Sequence, residues 1–78
     1  MKRCPCCGYL TIDDCCEVIT DVCEVCFWQY DEVAQDKPDK VVGANKVSLN
    51  TAKKNYKLLG AIEERFKNVV RLPYEDEL

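Results

Sequence analysis

At 78 residues, with a formal net charge of −3 and seven cysteines, the chain is one small domain, and a core of this size contributes only roughly 3–5 kcal/mol unless something staples it. No apolar run approaches the roughly 20 residues that span a bilayer, and no apolar stretch follows Lys2 and Arg3 to make a secretory signal. The odd cysteine count excludes complete disulfide pairing within the chain, so a cytoplasmic protein whose reduced thiols serve a metal is expected, with no membrane contact.

The charge is unevenly spread. Residues 1–36 carry Lys2 and Arg3 against eight acids, residues 37–71 carry nine basic residues against Asp39, Glu63 and Glu64, and the tail PYEDEL is acidic again. Such polarity suits a protein with distinct faces for partners.

In chain order, Cys4-x-x-Cys7 comes first, and after fifteen residues Cys23-x-x-Cys26 follows. This is the spacing of a four-thiolate zinc ribbon. Two residues between cysteines let a tight turn aim both sulfurs at one ion, and a tetrahedral Zn²⁺ takes four such ligands. The chain holds no histidine, so an all-thiolate shell is the simplest. Pro5 and Gly8 suit the first turn, since Gly8 tolerates positive φ. The second turn has Phe27 where the first has Gly8, which requires either a left-handed phenylalanine or another turn. Pairing Cys4 with Cys7 leaves Cys6 spare, and Cys15 and Cys16 read as free thiols between the knuckles.

One structural Zn²⁺ is therefore expected on Cys4, Cys7, Cys23 and Cys26, although iron fits the same sulfurs. Because four thiolates close the shell, and no general base stands near, the site reads as structural and the protein as no enzyme.

Between the knuckles, YLTI reads as a short strand with Tyr9 and Thr11 on one face and Leu10 and Ile12 on the other. DDCC reads as its turn and EVITDV as the returning strand. Phe27 and Trp28 are expected over the metal site or against a helix, with exposed stacking of Trp28 on a partner as the alternative. Residues 31–47 read as a polar connection punctuated by Pro38 and Gly43.

SLNTAKKNYKLLG carries the marks of a helix: Ser48 as N-cap, Leu49, Ala52, Tyr56 and Leu59 on one face, and Gly60 as terminator. AIEERFKNVVRL continues an apolar rhythm, so a second helical segment is expected beyond Gly60. Lys53, Lys54 and Lys57 occupy the polar face of the first helix. YEDEL reads as a frayed tail.

The expected fold is thus a small metal-stabilised α+β domain, a zinc-ribbon (rubredoxin-like) β-hairpin followed by one or two C-terminal helices. Residues 1–30 form the ribbon, 31–47 a connecting loop, 48–71 the helical part and 72–78 an acidic tail.

The segments CPCCGYLTI, CEVCFWQYDE, GANKVSLNTAKKNY and GAIEERFKNVVR together resemble the bacterial cysteine-rich CPCC domain, from Cys4 to about Arg71. That resemblance implies a metal-binding ribbon and a helical part opening on the GAN-x-VSLN motif, here Gly43, Ala44, Asn45, Val47, Ser48, Leu49 and Asn50, with Asn55 and Tyr56 downstream. It implies no activity. Three functions remain in contest. The first is a protein-binding module of the immunity or inhibitor type, whose acidic ribbon meets a basic partner. The second is a nucleic-acid-binding ribbon using Trp28, Lys53, Lys54 and Lys57. The third is a rubredoxin-like electron carrier. Trp28, Asn45, Lys53, Lys54 and Lys57 are the candidate partner contacts.

Overall fold

The computed structural model describes residues 1–14, 19 and 21–78. Strand β1 (Lys2–Arg3) pairs antiparallel with β2 (Leu10–Ile12), Lys2 opposite Ile12 and Arg3 opposite Leu10, with a register irregularity between the pairs. The first knuckle is the turn of this hairpin. A matching single bridge, Val22 opposite Gln29, flanks the second knuckle. Strand pairing among the described residues thus runs across each knuckle. Half of the expected returning strand EVITDV (Glu17, Val18 and Thr20), together with Cys15 and Cys16, lies outside the described residues.

The connection after the ribbon departs from expectation. It contains helix α1 (Glu32–Asp36), capped by Asp31, whose carboxylate accepts from the Val33 and Ala34 N–H groups at 2.9 and 3.2 Å. Five residues with one buried side chain, Ala34, carry too little periodicity to be seen in sequence. Capping and tertiary contact make the helix. Gly43, at φ +65°, leaves space for the Asp31 carboxylate, into which a Cβ would collide.

Helix α2 (Leu49–Leu59) begins and ends where its capping residues predict. Ser48 Oγ accepts from the Thr51 N–H at 3.2 Å, and Gly60 closes the helix at φ +81° with its N–H on the Tyr56 carbonyl. Leu49 and Ala52 are buried and Tyr56 and Leu59 half-buried, so the predicted face turns inward, while Lys53, Lys54 and Lys57 are exposed. Since no neighbour lies within 4 Å of a Cβ built on Gly60, Gly60→Ala is expected to cost only the left-handed backbone penalty, about 1–2 kcal/mol. A denaturation midpoint measured on the metal-loaded protein checks it.

The helical segment expected beyond Gly60 reduces to one 3₁₀ turn, Glu64–Phe66. Its apolar residues are used individually. Ala61 and Ile62 enter the core, Phe66 stacks on Phe27, and Val69 is exposed. Asn55 Nδ2 donates to the Ile62 carbonyl at 2.8 Å, and the Ile62 N–H donates to the Cys26 carbonyl at 2.9 Å. These bonds dock the chain under the second knuckle, and tertiary bonding of this kind competes directly with a continued helix.

The tail is likewise held. Arg71 donates to Glu24 Oε2 at 3.0 Å and to both carboxylate oxygens of Glu77 at 2.7 and 2.9 Å, and its ring-face partner is Tyr74. Arg71 holds the Glu77 carboxyl below the ordinary carboxylate range. A 3₁₀ turn, Glu75–Glu77, replaces the expected frayed end.

Among the described residues twelve form the buried apolar core, and Cys4, Cys23 and Cys26 are three of them. Of the described residues, Trp28, Ile12, Ile62 and Val25 are the large, fully buried ones besides those cysteines. The hydrophobic core therefore has the cysteine cluster inside it rather than beside it.

Candidate metal centre

Both knuckles repeat one hydrogen-bond pattern. In the first, the Gly8 N–H donates to the Cys4 carbonyl at 2.8 Å, and the Cys4 N–H to the Tyr9 carbonyl at 2.9 Å. In the second, the Phe27 N–H donates to the Cys23 carbonyl and the Cys23 N–H to the Trp28 carbonyl, both at 2.8 Å. Each turn places its fifth residue in the left-handed region, Gly8 at φ +83° and Phe27 at φ +72°. Phe27 thus adopts the conformation glycine would take, at a cost of about 1–2 kcal/mol. Its ring stacks on Phe66 with centroids 4.3 Å apart, a contact of about 0.5–1.5 kcal/mol that offsets much of the strain.

The two turns face each other and bring four sulfurs together. Cys4 Sγ lies 3.5 Å from Cys26 Sγ, Cys7 Sγ lies 3.6 Å from Cys23 Sγ, and all four sulfurs fall within 4.8 Å of one another. A tetrahedron with metal–sulfur distances of 2.3 Å has edges of about 3.8 Å. The four cysteines therefore fit one tetrahedral ion and could hold it with no rearrangement of the fold. Cys6 is half-buried and stands outside this quartet.

The sulfurs also share charge. Hydrogen bonds from Cys26 first, then from Cys4 and Cys7, hold the Cys23 thiol far below its ordinary range. Cys26 is pushed up, chiefly by its bond to Cys23, and so is Cys4. Cys7 is held below its ordinary range as well, the opposing bond to Cys23 being outweighed by those to Cys26 and Cys4, so protons alone divide the cluster unequally among its sulfurs. A divalent cation favours four thiolates, and four around it carry −2. Helix α2 lies close enough to sense this charge. Burial first, and then Cys7, push the Tyr56 hydroxyl up to about 12, so it stays protonated at neutral pH.

The model of the family described as cysteine-rich CPCC matches residues 2–77. The chain belongs to the cysteine-rich CPCC family. The match takes in both knuckles, both helices and nearly all of the docked tail of this CPCC chain. No curated protein and no solved structure matches it.

The other candidate residues of the CPCC chain divide by exposure. Trp28 is 0 % exposed and its indole N–H has no hydrogen-bond partner among the described residues. Asn45 is buried, and its side-chain amide acts as a surrogate strand: Oδ1 accepts from the Gln29 N–H at 3.0 Å, and Nδ2 donates to the Gln29 carbonyl at 2.9 Å. Both belong to the interior. Lys53, Lys54 and Lys57 stand on the exposed face of α2, away from the core. Gly43 and the polar residues of the GAN-x-VSLN motif have structural work: Gly43 clears Asp31, Asn45 pairs with Gln29, Ser48 caps α2, and Asn50 Nδ2 donates to the Asp39 carboxylate.

Two contributions to the site are not visible in the spacing of cysteines. Thr11 Oγ1 lies 2.9 Å from Cys23 Sγ; the only hint was a polar residue in a short strand. The carbonyls of the second knuckle receive N–H groups from far along the chain, Ile62 on Cys26 and Arg71 on Glu24. Nothing local in the sequence encodes that.

The geometry predicts a contrast between neighbours. Cys7→Ser should lower metal retention and melting temperature together, since it removes one of four ligands, whereas Cys6→Ser should leave metal content unchanged. Native mass measurement of each purified variant distinguishes them.

Proposed function

We propose that this chain is a non-catalytic binding module whose ribbon is organised by one zinc ion on Cys4, Cys7, Cys23 and Cys26, and whose partner is a basic protein. The carrying observation is the closed quartet of sulfurs with tetrahedral spacing. When bound, the ion would supply cross-linking of the two knuckles. A shell filled by four thiolates leaves no position for a substrate or an activated water.

The choice of partner follows from charge. The N-terminal 36 residues already carry eight acids against two bases, and the thiolate centre adds two negative charges to the same half. An acidic N-terminal half of this kind would steer a basic partner, as an immunity- or inhibitor-type protein requires. Leu72, Tyr74 and Leu78 leave apolar surface beside the acidic tail. Nucleic-acid binding is less well supported, because Trp28, the residue that would stack on a base, is buried. No helix of the described residues is long and apolar enough to cross a membrane.

The test has two parts. Native mass spectrometry of the purified protein should find one zinc per chain, whereas an iron-loaded, visibly coloured protein would replace this reading with electron transfer. The metal-loaded protein should also form a stoichiometric complex with a basic protein from its source cells, weakening as salt rises. Retention on a polynucleotide with a clear salt slope, and no protein complex, would reverse the partner assignment.

A further inference from the structure

The four sulfurs are not equivalent. Among the described residues, Cys23 is the one with a side-chain oxygen at hydrogen-bonding distance, Thr11 Oγ1 at 2.9 Å, and both residues are buried. The Thr11 hydroxyl has one proton and two acceptors within reach, this sulfur and the Tyr9 carbonyl at 3.4 Å. The carbonyl already accepts the N–H groups of Cys4 and Thr11 itself, each at 2.9 Å. Distance and occupancy therefore both direct the hydroxyl proton to sulfur. A metal-bound thiolate has no proton to return, so Thr11 is the donor.

We propose that Thr11 is a positioning residue of the metal centre, its hydroxyl donating to the Cys23 thiolate and thereby setting how tightly the ion is held. The inference rests on the four-thiolate reading above. A donor to one sulfur draws off part of the excess negative charge that four thiolates place around a divalent ion, and a charge-assisted bond in a buried site is stronger than a neutral one. Strand β2 supplies the rigidity: Thr11 lies between Leu10 and Ile12, which pair with Arg3 and Lys2. The hydroxyl is thus fixed relative to the first knuckle and bonded to a ligand of the second, so it also ties the two halves of the ribbon together.

Zinc affinity of the full chain is measured by chelator competition for the natural protein, Thr11→Val and Thr11→Ser, alongside the thiolate-to-cobalt charge-transfer band of each cobalt(II)-substituted protein. Loss of a bond of this kind to a ligand costs about 10–100-fold in metal affinity. Thr11→Val should show that loss and a shifted band, while Thr11→Ser, which keeps the hydroxyl, should stay close to the natural protein in both. Valine binding zinc as tightly as threonine overturns the proposal. So does serine losing as much as valine, because side-chain shape and not the hydroxyl would then be responsible. Should the valine variant fail to fold with zinc, NMR of the natural cobalt-loaded protein decides: a slowly exchanging Thr11 hydroxyl proton shifted by the ion supports the bond, and a freely exchanging one removes it. A natural protein that takes up neither zinc nor cobalt defeats the four-thiolate reading itself, an outcome separate from failure of Thr11 alone.

Discussion

Chelation of the metal-loaded, reduced protein is expected to abolish its cooperative thermal melt. Structural zinc in small thiolate sites contributes apparent free energies of about 10–16 kcal/mol at neutral pH. Few large side chains among the described residues are fully buried apart from the cysteines, and a domain of this size has only a few kcal/mol of its own. The loss should extend beyond the ribbon. Ile62 and Arg71 hang their N–H groups on carbonyls of the second knuckle, so the segment after α2 loses its anchor when that knuckle opens. Acid should act in the same direction: the ligands bind as thiolates, so falling pH sets protons against the ion and stability drops with it. Circular dichroism melts with and without chelator, and down a pH series, check both. A chelated protein that retains its full melt would show that the ion is dispensable to the fold.

Trp28→Ala is expected to destabilise the metal-loaded protein by about 3–5 kcal/mol, the range for deleting a fully buried aromatic side chain. Trp28 is the largest of the fully buried side chains. Trp28→Phe should cost less than its lost volume alone suggests, because the indole N–H has no partner among the described residues. Removing a buried donor that lacks a partner recovers part of its desolvation penalty. Denaturant midpoints at saturating zinc give the comparison. A tryptophan whose role was contact with a partner would behave otherwise, its alanine variant staying within about 0.5 kcal/mol of the natural protein, as exposed positions do.

The two predictions differ in how far the sequence alone supports them. The sulfur quartet was legible because its geometry is local: a two-residue gap dictates a turn, and two such turns with no histidine in the chain make an all-sulfur candidate site. Even the choice of Cys7 over Cys6 follows from Gly8, whose φ of +83° completes the turn. The ends of α2 were legible for a similar reason, since Ser48 and Gly60 act on backbone groups within four residues of themselves. The interior face of that helix followed from its apolar spacing.

Other features depended on contacts between distant residues. AIEERFKNVVRL has a helical rhythm, yet its backbone is committed elsewhere, with the Ile62 N–H on Cys26 and the Arg71 N–H on Glu24. The tail looks solvated by composition, and Arg71 nevertheless binds Glu77 and Glu24 together. Partner contact was the alternative reading for Asn45 and Trp28, and folding placed one against Gln29 and the other out of solvent.

By itself, then, the amino-acid order determined the four-sulfur set, the boundaries of α2 and the distribution of charge, because each is written in residues a few positions apart. Only the tertiary structure decided where the chain after Gly60 runs, which polar side chains face inward, and that Thr11 reaches Cys23. Those outcomes depend on which distant donor finds which buried acceptor, a match made in space after the knuckles have closed.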